Sequence, residues 1–160
     1  MKKALLIFAK IVGGIFLVIG IWVGWIYLTN RTIDQMIAAD LEISDKWIEL
    51  VPDPPLCVVR QVPEMTLFIE GMTGANLRQS LNGKIQLPNG KFTQTQIEMY
   101  DDLGNPYYLR PSGGTLSQEV TVAFRPDEDF PENRRFTKIR IRSDEPFVCK
   151  RVFWRNKNLK

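Results

Sequence analysis

Residues Ile11 to Leu28 run for eighteen positions without a charged or strongly polar side chain. At about 1.5 Å of rise per residue, a helix of that length measures roughly 27 Å, close to the hydrocarbon thickness of a bilayer. A single segment in lipid satisfies its own backbone only as a helix. The run therefore predicts a transmembrane helix. Trp22, Trp25 and Tyr27 gather toward its far end, where amphipathic rings prefer the interface. Lys10 precedes the run and can snorkel to the near interface. Lys2, Lys3 and Lys10 flank one side, and Arg31, Asp34 and Asp40 follow the other. The positive-inside bias then puts the N-terminus in the cytoplasm and the rest of the chain outside. A cleaved signal peptide wants a shorter apolar run ending in a small-x-small site. This run ends Trp25-Ile26-Tyr27-Leu28, and Ala38-Ala39 comes late, which favours an uncleaved anchor. Gly20 and Gly24 form a small-xxx-small pair with Gly13 near the same face. Such a pair lets two helices approach closely, so a homodimer or packing against another membrane helix stays open.

The 160 residues include no histidine and two cysteines. Ser-His-Asp and Cys-His nucleophile systems need imidazole to move a proton near neutral pH. Most catalytic zinc sites need it as a ligand, and two cysteines do not build a four-cysteine zinc site. No cofactor motif is present, and the expectation is a non-enzymatic chain without cofactor. Any catalysis would rest on carboxylates, lysine or tyrosine. The net charge of +3 is small and does not imply a nucleic-acid partner.

Beyond the anchor, residues 1–29 by this reading, Thr32 to Leu41 has helical spacing. Thr32 and Gln35 have capping-box spacing, and Ile33, Met36, Ile37 and Leu41 fall on one face. Residues 30–44 are thus expected to form a helical juxtamembrane stalk. From Trp47 onward the pattern changes to short β-branched and aromatic runs separated by turn residues. Strands are expected near 46–51, 56–62, 65–70, 84–87, 92–100, 106–110, 116–125, 136–142 and 147–154. Pro88-Asn89-Gly90 and Asp101-Asp102-Leu103-Gly104-Asn105 read as tight hairpins, and Pro111-Ser112-Gly113-Gly114 as another reversal. Gly71 to Ser80 suits a loop with a short helical turn, and 126–135 a longer polar loop. In Thr137 to Arg142, Ile139 and Ile141 alternate with Lys138, Arg140 and Arg142, the mark of a sheet with one dry and one wet face. The fold class expected is mainly β: an antiparallel β-sandwich over residues 45–160, preceded by one transmembrane helix.

Cys57 falls in an early strand and Cys149 in the last. First and last strands are often neighbours in sandwiches, and an outside compartment permits a disulfide. Two buried free thiols are the alternative.

Phe136-Thr137-Lys138-Ile139-Arg140-Ile141-Arg142-Ser143-Asp144-Glu145-Pro146, followed by Val152-Phe153-Trp154, resembles the closing strands of galactose-binding-like, discoidin-related jelly-roll modules. The resemblance covers about 40 residues. It implies an eight-stranded jelly roll with binding loops at one end, and it carries over no sugar-contact or calcium residue.

Several clusters invite a function. Asp127-Glu128-Asp129 with Glu132 offers oxygens for calcium, against a solvated acidic loop, and no EF-hand spacing is present. Asp101, Asp102 and Asn105 offer the same against plain turn chemistry. Glu98, Asp101, Asp102 and Asp127 are available for carboxylate-based glycan hydrolysis, which needs two facing carboxylates. The outward stripe Lys138, Arg140 and Arg142 suits an anionic glycan, a lipid headgroup or an acidic partner, against a solvated face balanced by the 127–132 loop. Trp47, Tyr107, Tyr108, Phe130 and Trp154 are the candidate exposed rings for stacking on a ligand. If Tyr107 and Tyr108 lie in a strand, one of the two faces outward. The reading that emerges is a single-pass membrane protein whose extracytoplasmic domain is an interaction module of the cell envelope, with a protein, glycan or anionic surface as partner. An accessory subunit assembling through the Gly20/Gly24 face and a carboxylate-dependent glycan hydrolase are the rivals.

Overall fold

The computed structural model describes residues 13–14, 16–24, 33–58, 62–80, 83–116, 119–127, 130–131 and 134–157. The chain divides into two units, Met1–Thr32 and Ile33–Lys160. In the first, residues 13–14 and 16–24 are helical, and the large side chains Phe16, Leu17, Ile21 and Trp22 are exposed. Among the described residues no helix is long and apolar enough to cross a membrane. Residues 11, 12, 15 and 25–28 of the expected span lie outside the described residues, as do Lys2, Lys3, Lys10 and Arg31.

The second unit is mainly β and antiparallel. Its strands are β1 (Ile33–Ile43), β2 (Ile48–Leu50), β3 (Leu56–Cys57), β4 (Val62–Ile69), β5 (Ile85–Gln86), β6 (Phe92–Thr93), β7 (Thr95–Asp101), β8 (Pro106–Leu116), β9 (Val120–Pro126), β10 (Arg135–Ser143) and β11 (Phe147–Lys157), with a short helix α1 (Gly74–Gln79). Nine strands form one sheet in the order β1-β11-β4-β9-β8-β7-β10-β2, with β3 also on β10, and β5 and β6 form a separate hairpin. Every pairing is antiparallel.

Alternation puts one face of this sheet into a single core. Along β7 burial alternates strictly, with Ile97 and Met99 inside and Gln96, Glu98 and Tyr100 outside. Ile139 and Ile141 of β10 point the same way, as expected from their period of two. Met65, Leu67, Phe124, Phe136, Val152 and Trp154 complete the centre. The ends of the sheet come together through residues 44–58. The Ser143 amide at the end of β10 donates to the Ser44 carbonyl at 2.7 Å. Farther along, the Trp154 Nε1–H and the Asn156 Nδ2 group of β11 both donate to the Cys57 carbonyl at 3.2 Å. This core is covered by α1 and the β5–β6 hairpin, which contribute Leu77, Ile85 and Leu87, and by Met72 just before α1. Thr73 and Asn76 cap α1 reciprocally, and Asn76 Nδ2 donates to the Leu87 carbonyl at 3.0 Å.

Residues 33–43 form strand β1, not the expected helical stalk. β1 pairs with β11 from Ile33↔Asn156 to Ile43↔Phe147, with a register shift between Met36 and Ala38 and a positive φ at Asp40. A bulge adds one residue to an alternating pattern. That turns a period of two into spacings of three and four, which mimic a helix.

Two turns follow one plan. Gly90 donates back to Leu87 and Gly104 to Asp101, and both glycines have positive φ. Asn89 does not, so Gly90 alone takes the left-handed position of that hairpin. Pro111 to Gly114 is no reversal. It lies inside β8 at a register shift between Pro111 and Gly113, and a Cβ at Gly114 would meet the Thr121 carbonyl and the Leu77 side chain. Glycine here serves a bulge and a close approach.

Candidate functional site

Cys57 and Cys149 are free thiols, which corrects the expected disulfide. Cys57 lies at the level of Trp154, whose indole it receives. Cys149 is five residues away along β11. At about 3.3 Å per residue that is roughly 16 Å, and a disulfide needs Cα atoms within about 7 Å. Cys149 is buried, which pushes its thiol up to about 11.

The seam where the ends of the sheet meet holds a cleft. Leu50 ends β2, and pairing with β10 resumes at Leu56 and Cys57. Between them stand Pro52, Pro54 and Pro55, which have no N–H to offer a ladder. This segment steps off β10, with Pro52 buried and Pro54 and Pro55 exposed. Gln35 of β1 donates from Nε2 to the Pro54 carbonyl at 2.6 Å. The resulting cleft, about 350 Å³, is lined by Gln35, Pro54, Pro55, Cys57, Arg135, Trp154 and Asn156. Trp154 and Asn156 are buried, Cys57 is half-buried and Arg135 is exposed.

Among the described residues, the charge in this cleft is Arg135. The other described arginines are engaged: Arg110 with Asp127, Arg125 with Glu64, Arg134 with Asp101 and Asp102, Arg140 with Glu49 and Glu98, Arg151 with Glu119 and Arg155 with Asp34. Arg78 donates to the Gly74 carbonyl and Arg142 to Gln96. Among the described residues, Arg135 has no side-chain ion pair, hydrogen bond or ring contact.

The expected basic stripe is on the outer face of β10 and is laced to its neighbours. Lys138 lies 4.4 Å from the Tyr100 ring centre. The guanidinium groups of Arg140 and Arg142 lie 4.7 and 4.6 Å from that of Trp47. Glu49 and Glu98, on the flanking strands, stand 3.4 and 3.7 Å from Arg140. Among the described residues, the balancing carboxylates are thus on the same face. On the opposite half of the sheet, Phe68 and Phe153 meet edge to face at 5.5 Å with Arg151 and Arg155 over them.

Of the candidate stacking rings, Tyr108 faces outward at 55% exposure, while Tyr107 packs on Phe130 and Phe136. Phe130 and Trp154 are core residues, with Phe130 packed against Phe136 and Trp154. Asp101 is buried in turn chemistry, accepting from the Leu103 and Asn105 amides and from Asn105 Nδ2. Glu98 accepts from the Tyr100 hydroxyl. Among the described residues no group of His, Cys, Asp and Glu is arranged to hold a metal; Glu128, Asp129 and Glu132 lie outside them. Gly20 and Gly24 lie in helical residues with open space where a Cβ would stand.

The cleft itself was not legible as a site. Trp154, Arg135 and Cys57 each carried a signal, but nothing in the pattern brought them together with Gln35 and the prolines. No family model matches the sequence, and no curated protein matches it.

Proposed function

We propose that this chain is a membrane-anchored, non-enzymatic binding module of the cell envelope. In this reading an N-terminal helix holds an extracytoplasmic jelly roll that presents the seam cleft to a ligand. The anchor is supported by the apolar run 11–28 and by the exposed apolar side chains of the helical residues 16–24, since a helix apolar all round belongs in a membrane or a protein interior. The jelly roll is supported by strand order. With β3 and the β5–β6 hairpin set aside, β1-β11-β4-β9 and β8-β7-β10-β2 are the first-eighth-third-sixth and fifth-fourth-seventh-second strands, the two interleaved halves of an eight-stranded jelly roll. The non-enzymatic character is supported by the candidate carboxylates Glu98, Asp101, Asp102 and Asp127, each engaged in a turn or an ion pair.

The observation that carries the proposal is the cleft: a concavity of ligand size with an apolar wall and, among the described residues, one convergent charge. A panel of small ligands screened by saturation-transfer NMR against the full chain in detergent tests it. Alkylating Cys57 should fill the cleft and abolish the signal of the ligands that bind there. If every ligand binds equally well to alkylated protein, or none binds at all, the cleft is no binding site.

A further inference from the structure

We infer that the seam cleft takes a small amphipathic carboxylate, its apolar body against Pro54 and Pro55 and its carboxylate on Arg135. This inference rests on the proposed binding function and names the ligand class of the same cleft.

Size comes first. At about 350 Å³ the cleft sits at the small end of the range for ligand sites, roughly 300–1,000 Å³. It suits a single ring with a short arm, not an oligosaccharide. Polarity comes next. A neutral sugar needs many free donors and acceptors, and here the indole N–H and an N–H of each carboxamide are already committed. Trp154 and Asn156 donate to the Cys57 carbonyl, and Gln35 donates to the Pro54 carbonyl. The apolar wall among the described residues is chiefly the exposed Pro54 and Pro55 with the half-buried Cys57, floored by the edge of the buried Trp154. Charge then selects the ligand head. Among the described residues, Arg135 is the one ionic residue lining the cleft, and it has no carboxylate, hydrogen-bond or ring partner there. A guanidinium has five N–H donors in a planar fork and no acceptor, a shape that matches a carboxylate in two parallel hydrogen bonds. A cationic ligand meets only repulsion there. A phosphate dianion carries more charge and more acceptors than one guanidinium satisfies.

The test uses three probes with one apolar body: phenylacetate, phenylacetamide and phenethylamine. The readout is the rate of Cys57 alkylation by neutral iodoacetamide in the full chain in detergent, followed by intact mass. Cys149 is silent because it is buried and its thiol is pushed up to about 11. Ligands of this size bind in roughly the millimolar range. Phenylacetate should protect Cys57 at roughly fivefold lower concentration than the amide, and the amine should protect least. Arg135→Gln should bring phenylacetate to the level of the amide and leave the amide unchanged, while Arg135→Lys keeps part of the preference. Arg135 is exposed, so both variants should melt as the parent does. Equal protection by all three probes, or preference for the amine, overturns the carboxylate assignment and leaves the binding site standing. No protection by any probe overturns both.

Discussion

At the end of β7 one buried carboxylate organises a turn. Burial opposes the charge of Asp101, but hydrogen bonds from the Asn105 side chain and from the Asn105 and Leu103 amides, with Arg134 nearby, hold its carboxyl below the ordinary value of 3.8. A carboxyl with a lower value in the folded than in the unfolded state contributes stability above the unfolded value, and that stability is lost as pH falls through the folded one. The thermal midpoint of the parent should therefore decline as pH falls below about 4. Asp101→Asn should start from a lower midpoint at neutral pH, with a flatter acid limb. Parallel acid limbs for the two proteins would show that this carboxylate is not what acid attacks. The same scale explains the basic stripe. Lys138, Arg140 and Arg142 read in the sequence either as a surface for an anion or as a solvated, balanced face, and each has a ring, carboxylate or amide beside it. Exposed cation–π contacts and surface ion pairs contribute about 1 kcal/mol or less apiece. That is enough to hold the side chains down on the sheet and to blunt their appeal to an anion.

Among the elements, β1 decides where the domain begins. It covers the edge of β11 with Ile37, Ala38 and Leu41 packed against the core. A fragment starting at residue 30 should melt cooperatively, whereas one starting at residue 42 loses the whole strand. Removing that strand should cost several kcal/mol, on the order of the total stability of a domain this size. Dispersed amide spectra for the shorter fragment would contradict the role given to β1. In β8, Gly114→Ala places a methyl group against the Thr121 carbonyl and Leu77. It should lower stability by about 1–3 kcal/mol in chemical denaturation, and an unchanged midpoint would show that α1 yields there. These two elements also mark where the sequence misleads. The strands from Trp47 onward were legible because their alternation is regular and their turns carry glycine at the left-handed positions. β1 and the middle of β8 were not, because a bulge breaks the period in one and places Pro-Ser-Gly-Gly inside a strand in the other. Both misreadings are bulge effects: local periodicity reports the ladder only where the ladder is regular.

For the molecule as a whole, the cleft is a product of closure. Gln35 and Asn156 stand at opposite ends of the folded sequence, and they meet because β1 and β11 pair while β3 completes β10. No local motif encodes such a site, so Arg135 looked like one basic residue among many and Trp154 like a ring for the surface. The proposed function requires the domain to lie outside the membrane, with Cys57 in the wall of its cleft. The most direct measurement is labelling of the full chain in intact cells with a membrane-impermeant maleimide. The account predicts one modification per chain, at Cys57, lost in Cys57→Ser and unaffected by Cys149→Ala. Labelling only after the cells are lysed would put the domain on the other side of the membrane and contradict the account.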